Sequence, residues 1–439
     1  MRVLTYDLLD FSYTKQEGVM KMNPFLKTPS YKCDMLLNWK TIFKKPYDKR
    51  TTDPYTKTRV ILMNGTEFEN VWFSHQFQRN TLDNNVRRQL ALLRRSEQQQ
   101  QKLLCSLKPA DETMLEHTIG YEQLAVDLTA HLAKRTRDAN LKNALDFALL
   151  EDFDHLYRYS NLLKIESGVK AENLVGHYTE IMPARPTIAH HRNPYDSVRF
   201  PDTRENPPIF DVLASNVITA AEQQTMNYYM NVSAVYPSEY GKKLYQEIGM
   251  IEEQHVTHYG SLLNPKKTWF ENLLIHQYTE CWLYWSMAET EIHPEIKDIW
   301  KAMFEIELMH LKVAEQLLKD YDGKAWQDVI PDAEFPAPLK LESNIPYVRQ
   351  VLENTVDLTA KREMYVDVNT LDENSDFFEY QRRINSDTDT VMSHVVIRDY
   401  ISRNCRDYRY ETAPNPIEEL RNYTCDNICV GRRITEDCM

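Results

Sequence analysis

The segment Glu252-Glu253-Gln254-His255, followed by Leu262-Leu263, contains a pattern that occurs three times in this chain. Each copy has an acidic residue three positions before a histidine and a Leu-Leu pair seven and eight positions after it. The other copies are Asp152–His155 with Leu162-Leu163 and Glu307–His310 with Leu317-Leu318. A glutamate precedes each acidic residue by 27 to 30 positions, at Glu122, Glu222 and Glu280. The first two copies are offset by 100 residues at all three positions.

Helical periodicity places each copy in a hairpin of two helices. The apolar spacing predicts paired helices over 112–135 and 141–164, over 212–234 and 239–263, and over 268–291 and 295–320. On a helix, residues three apart lie on one face, so the acidic residue and the histidine point the same way. The upstream glutamate lies at a similar distance from the turn and can reach the same level across the hairpin.

These residue types at this spacing indicate metal binding. Apolar residues flank His155 and His255 on both sides, so the patterns are predicted to be buried. Buried carboxylates and imidazoles are costly unless they pair closely or hold a cation. Carboxylate and imidazole ligands suit iron or manganese better than a metal that prefers thiolates.

Two such hairpins together offer four carboxylates and two histidines. This set resembles that of the ferritin-like diiron-carboxylate proteins, in which two helices each give a Glu and two each give Glu-x-x-His. The resemblance covers roughly residues 112–320 and implies a mainly α protein built on a four-helix bundle with a long crossover. It also implies two iron ions as cofactor, with a mixed Fe/Mn pair as the variant, and O2 or peroxide as the oxidant.

Three half-sites compete for places in one two-metal site. The connection 165–211 holds six prolines and is long enough to travel the length of a bundle, whereas the link 264–267 reaches at most about 14 Å. The main site is therefore predicted to consist of residues from the first two hairpins: Glu122, Asp152, His155, Glu222, Glu252 and His255. For the third hairpin three readings stay open: a relic, a half-site completed across a homodimer, or a site in which Glu280, Glu307 and His310 replace Glu122, Asp152 and His155.

Several neighbouring residues are candidates for supporting roles. Glu151 adjoins Asp152 and competes with it as a ligand, although alignment of the copies places Asp152 opposite Glu252. Tyr159 and Tyr259 follow their histidines by one turn and are candidates for hydrogen-bond donors or redox-active phenols beside the ligands. The polar cluster 186–194 in the crossover is a candidate cover of the site or a substrate contact.

The remaining segments are predicted as extensions. Residues 1–108 are an N-terminal extension, with a β-hairpin at Asn64-Gly65 and then a helix over 83–107. The bundle with its crossover occupies 109–264, and the third hairpin 265–325. Residues 326–439 are a C-terminal helical extension, helical over 347–403 with an interruption near 370–376, and a polar tail. Cys425, Cys429 and Cys438 in this tail are a zinc candidate without an evident fourth ligand.

Composition narrows the function classes. The net charge of −13 argues against a general nucleic-acid binder, and no apolar run approaches the roughly 20 residues of a membrane span. Asp7 and Asp10 oppose a signal peptide, so a cytoplasmic protein with reduced thiols is expected. The leading hypothesis is a non-haem dinuclear iron oxidoreductase that activates O2 or peroxide, acts on a small-molecule substrate and takes electrons from a separate donor. An iron-binding or storage module without turnover and a metal-free helical scaffold are the alternatives.

Overall fold

The computed structural model describes residues 22–29, 35–185, 190–386 and 390–404, and within these ranges the protein is mainly helical. We number the longer elements α1 (Pro54–Arg79), α2 (Asn84–Ser106), α3 (Met114–Arg135), α4 (Ala139–Ser167), α5 (Ile209–Val235), α6 (Glu239–Gly260), α7 (Trp269–Thr290), α8 (Pro294–Leu317), α9 (Ile345–Thr355), β1 (Leu358–Lys361), β2 (Met364–Asp367), α10 (Asp376–Asn385) and α11 (Met392–Asn404). Single helical turns lie at Pro24–Leu26, Trp39–Ile42, Ala171–Leu174, Pro194–Ser197, Leu318–Asp322, Trp326–Asp328 and Val368–Thr370.

Local sequence signals set the ends of the hairpin helices. α3 and α7 each begin with a capping box, in which a threonine side chain and a glutamate three residues on satisfy each other's backbone N–H groups: Thr113 with Glu116, and Thr268 with Glu271. α4 ends at Gly168, whose φ of 71° is the left-handed conformation that favours glycine. The seven helices predicted between residues 83 and 320 are confirmed to within a few residues at each end.

The first four-helix bundle consists of α3, α4, α5 and α6. α3 packs on α4 and α5 packs on α6 as two hairpins, and the hairpins meet through α3 with α5 and α4 with α6. The chain between Ser167 and Ile209 joins the two hairpins, as the length of the proline-bearing segment predicts. The prediction of a four-helix bundle with a long crossover is confirmed.

A second four-helix bundle consists of two further hairpins. One precedes the first bundle in the sequence, and the other follows it. α1 packs on α2, α7 packs on α8, and the two hairpins meet through α1 with α7 and α2 with α8. The arrangement in which the third hairpin replaces the first beside α5 and α6 is therefore wrong, because α7 and α8 have α1 and α2 as partners. α1 also contacts α3 and α5, so the two bundles share a packed face.

The β-hairpin predicted at Asn64-Gly65 is wrong, since both residues lie inside the 26-residue helix α1. The run Arg59–Met63 is buried throughout because α1 has neighbours on several sides. Such a continuous buried run cannot be distinguished from a strand by periodicity alone. Gly65 serves close packing instead: a Cβ added there would lie 2.9 Å from Oε1 of Gln224 on α5.

The C-terminal region covers the outer side of the first bundle. α9 and α11 pack on α4, and α11 also packs on α6. The helix predicted over 347–403 is wrong in part, because β1 and β2 form an antiparallel hairpin between α9 and α10. Cys425, Cys429 and Cys438 lie outside the described residues. Within the described ranges, no helix is both long and apolar enough to cross a membrane.

Because of the close approach at Gly65, we expect replacement by alanine to change the free energy of unfolding differently at Gly65 and at Gly260, another helical glycine. Gly65→Ala should lower the free energy of unfolding by about 1 kcal/mol despite its better helix propensity. The reason is that the new methyl group displaces Gln224, whose side chain bonds Asn64, Ile61 and Tyr121. Gly260→Ala should be neutral or stabilising, since the nearest atom to its added Cβ lies 4.0 Å away. Denaturant unfolding of both variants measures the difference, and an equal gain in stability would contradict the packing role of Gly65.

Candidate metal centre

The six residues predicted for the main site lie together in the middle of the first bundle. Their ligand atoms form two groups of four, each with all its atoms within 4.8 Å of one another. One group is Glu122, Asp152, His155 and Glu252, and the other is Asp152, Glu222, Glu252 and His255. Asp152 and Glu252 belong to both groups. None of the six side chains is more than 1% exposed.

The imidazole of His255 turns its Nδ1 atom toward the carboxylates. This nitrogen lies 3.2 Å from Oδ1 of Asp152, 3.2 Å from Oε2 of Glu252 and 3.6 Å from Oε2 of Glu222. His155 approaches the same cluster from α4, with its Nδ1 3.0 Å from Oε1 of Glu252. Both histidines therefore turn their Nδ1 atoms toward the carboxylate oxygens of the cluster.

Glu151 lies next to this cluster but faces away from it. Its Oε2 is 2.8 Å from Nε2 of His255, and its Oε1 pairs with Arg192 and, at 3.4 Å, with Arg185. Burial alone would raise the pKa of Glu151, but Arg192, His255 and Arg185 together hold that pKa well below its usual range. The geometry thus gives Asp152 the place within the cluster and Glu151 the place behind the imidazole, where it can fix the orientation of His255.

The hydrogen bonding of the buried polar atoms in the cluster indicates whether a cation would fit there. Ten ligand atoms have no hydrogen-bond partner within the described part of the chain, although all are inaccessible to water: Oε2 of Glu122, both oxygens of Asp152, Glu222 and Glu252, both ring nitrogens of His155, and Nδ1 of His255. Buried polar atoms without partners are rare in folded proteins because each costs free energy. Nine of the ten are carboxylate oxygens or the inward Nδ1 atoms, which are the atoms that a metal would use.

The pKa values of the cluster also reflect its many buried carboxylates. Burial, followed by repulsion from neighbouring carboxylates, raises the pKa of Glu122 well above its usual range and that of Asp152 to about 7. The pKa of Glu252 is raised in the same direction by burial. For His255, burial acts to lower the pKa, but Asp152 and the other carboxylates outweigh it and raise the pKa. Cations placed among these carboxylates would therefore stabilise their ionised forms.

The crossover covers the cluster from the outer side of α4. Of the predicted polar cluster 186–194, residues 186–189 lie outside the described ranges, while His190, His191 and Arg192 are buried. The backbone N–H of Arg192 donates to Oε1 of Gln254 at 3.0 Å, and the side chain of Arg192 holds Glu151. This segment therefore connects α4 to α6 directly behind the ligands.

Three buried tyrosines surround the ligands. Tyr159 and Tyr259 are fully buried, and neither hydroxyl has a hydrogen-bond partner among the described residues. The ring centroid of Tyr259 lies 6.4 Å from that of His255, and burial, followed by the carboxylates of Glu222 and Asp152, raises the pKa of Tyr259. Tyr229 was missed by the sequence analysis, yet its hydroxyl donates to Oε1 of Glu122 at 2.5 Å. Its only sequence signal is its position seven residues after Glu222, on the same face of α5.

The third copy of the pattern lies in a separate cluster in the second bundle. Glu307 and His310 form a group with Glu97 on α2, and Glu280 forms a group with Glu67 on α1 and Glu97. Glu67 and Glu97 were missed, although they are 30 residues apart, the same spacing as Glu122 to Asp152. The signal was hidden because Gln100 stands where the pattern has histidine and because Asn64-Gly65 suggested a turn.

Comparisons of the chain with protein-family models, with curated proteins and with solved structures find no match. What the centre can do therefore has to follow from its own residues and their geometry.

The two neighbouring acidic residues of α4 should respond in opposite directions to loss of charge. In metal-free protein at pH 8, Asp152→Asn should raise the free energy of unfolding by about 1 kcal/mol, because it removes one of several repelling buried carboxylates. Glu151→Gln should lower it by about 3–5 kcal/mol, because Arg185 and Arg192 lose their buried partner. Thermal unfolding followed by circular dichroism measures both changes. Equal destabilisation by the two variants would show that Asp152 is not part of an unbalanced cluster.

Proposed function

We propose that the first cluster binds two metal ions and that the protein is a non-haem dinuclear iron oxidoreductase which uses O2 or peroxide. The observation that carries this proposal is the sharing of Asp152 and Glu252 between the two groups of four ligands. Two shared carboxylates between two ligand groups are the arrangement expected for a pair of bridged ions. A single-ion site would need only one of the groups.

The ligand set supports iron, with an Fe/Mn pair as the variant. The four ionised carboxylates of Glu122, Asp152, Glu222 and Glu252 carry four negative charges, which two divalent ions would balance. Carboxylate oxygen together with one imidazole per ion suits iron and manganese. The same set of residues underlies the resemblance to the ferritin-like diiron-carboxylate proteins. When bound, such a pair supplies Lewis acidity and electrons for reaction with O2 or peroxide.

The residues around the ligands position protons and orient the ligand side chains. Glu151, whose pKa is held low, is placed to accept a hydrogen bond from Nε2–H of His255, so that Nδ1, on the side of the carboxylates, would be the nitrogen that gives up its proton to bind a metal. The hydroxyl of Tyr229 donates to Glu122 and fixes the rotamer of that carboxylate. Complete burial excludes bulk water from the cluster, so each electrostatic interaction there is stronger than at the surface. Tyr159 and Tyr259 stand beside the cluster as candidates for proton or electron transfer.

An oxidoreductase of this kind needs an electron donor and a substrate. Reduction of O2 consumes electrons, which on this proposal come from a separate donor. The oxidised substrate is a small molecule on the same proposal. O2 itself is small enough to reach a buried cluster through side-chain fluctuations.

Anaerobic reconstitution with Fe(II) tests the metal part of the proposal. Glu252→Gln removes a ligand common to both groups and should retain two fewer ions per chain than Glu253→Gln. The control substitutes the neighbouring, half-buried glutamate of the same helix, which accepts a hydrogen bond from Thr257 and lies outside the cluster. Metal content after gel filtration gives the ratio. Equal metal content in the two folded variants would refute the two-ion centre.

Rapid mixing of the reduced, loaded protein with O2 tests the redox part. Optical changes that appear in the Glu253→Gln protein and disappear in Glu252→Gln are expected if the cluster reacts with O2. An iron content far above a few ions per chain, or formation of a mineral, would instead indicate storage. Two bound ions that do not react with O2 or peroxide would contradict an oxidoreductase while leaving metal binding in place.

A further inference from the structure

A second set of buried ionisable residues lies in the bundle formed by α1, α2, α7 and α8. Each helix contributes a glutamate, and α8 adds the histidine one turn further on: Glu67, Glu97, Glu280, Glu307 and His310. None of these side chains is more than 3% exposed. The helices contribute residues as in the first bundle, where α3 and α5 each give a glutamate and α4 and α6 each give an acid-x-x-His pair.

The charge of this second cluster is poorly balanced. It contains four carboxylates and one imidazole, and among the described residues no lysine or arginine forms an ion pair with any of the four. Oε2 of Glu97, a residue that belongs to both groups of ligand atoms, is buried without a hydrogen-bond partner in the same part of the chain, as are Oε2 of Glu67 and Oε1 of Glu280 in the group that lacks an imidazole. Buried carboxylates in this condition are costly unless they are neutralised by protons or by a cation.

One difference from the first cluster decides how many ions it can hold. Gln100 stands one turn after Glu97, at the position of the second histidine, and its Nε2 donates to Oε1 of Glu307 at 2.7 Å. His310 turns its Nδ1 to Oε2 of Glu307 at 3.0 Å and to Oε1 of Glu97 at 3.6 Å. The group Glu97, Glu307 and His310 thus retains an imidazole and two carboxylates on one side of the bundle.

The opposite group, Glu67, Glu97 and Glu280, has no imidazole and already has neutral donors. The hydroxyl of Tyr284 donates to Oε1 of Glu67. Nε2 of Gln277 donates to Oε1 of Glu97 at 3.0 Å and lies 3.4 Å from Oε2 of Glu280. These donors partly replace a cation at this end of the cluster.

We propose that the second cluster is a metal site for one divalent transition-metal ion, held by Glu97, Glu307 and His310. An imidazole with two carboxylates suits Mn²⁺ or Fe²⁺. The amide of Gln100 occupies the position from which a second imidazole would complete a two-ion centre. This inference concerns residues outside the first cluster and does not depend on the proposed function.

Mn²⁺ binding to the full chain, freed of metal with a chelator, tests the inference. Glu307→Gln should bind one ion per chain fewer than Glu305→Gln, the matched change of a partly exposed glutamate on the same helix. Metal content after gel filtration and the electron paramagnetic resonance of bound Mn²⁺ give the number. The comparison is independent of the first cluster, whose ions both variants should retain.

Equal Mn²⁺ content in folded Glu307→Gln and Glu305→Gln would overturn the inference. If Glu307→Gln fails to fold, the decision passes to Gln100→His, which restores the acid-x-x-His pattern on α2. That variant should bind Mn²⁺ at the second cluster roughly tenfold more tightly or take up one further ion. Unchanged affinity and unchanged metal content in Gln100→His would then refute the metal site.

Discussion

The burial of carboxylates that form no ion pair with lysine or arginine among the described residues is the constraint on which this structure depends. Four acidic residues and two histidines in the first bundle are removed from water, and ten of their atoms have no hydrogen-bond partner in the described ranges. A chain gains nothing in stability from such an arrangement. Apolar packing by the surrounding helices and by the cover of α9 and α11 has to offset it. Cations could hold such a cluster together, since they would neutralise its carboxylates.

The second bundle repeats this logic with a different neighbourhood. In the first bundle, Glu151 precedes Asp152 and ties the centre to Arg185 and Arg192 of the crossover. In the second, Ser96 precedes Glu97 and donates to the carbonyl of Met35, so the position that corresponds to Glu151 has no carboxylate that could pair with arginine. The bundles that contain the two clusters pack together through α1 and α5, and Gly65 allows these two helices to approach closely. One chain thus contains two buried clusters that could hold metal ions, the first with two histidines and the second with one.

The clustering of the six side chains could be predicted because the sequence information behind it is local and periodic. The spacing of three residues fixes a helical face, and the spacing of 30 residues from Glu222 to Glu252 fixes the height across a hairpin. The partners of the third hairpin could not be predicted, because neither α1 nor α2 has a histidine three residues after a glutamate and because the continuous buried run in α1 resembles a strand. The contacts of Glu151 with His255 and of Tyr229 with Glu122 could not be predicted from the sequence either. Their roles depend on which way neighbouring helical faces rotate, and no spacing rule encodes that rotation.

The most direct test of the central claim is anomalous diffraction at the iron edge from crystals of the Fe(II)-loaded protein. The account predicts two peaks in the first bundle, roughly 3–4 Å apart, with Asp152 and Glu252 contacting both. A single peak there, two peaks that do not share these carboxylates, or no peak at all would contradict it.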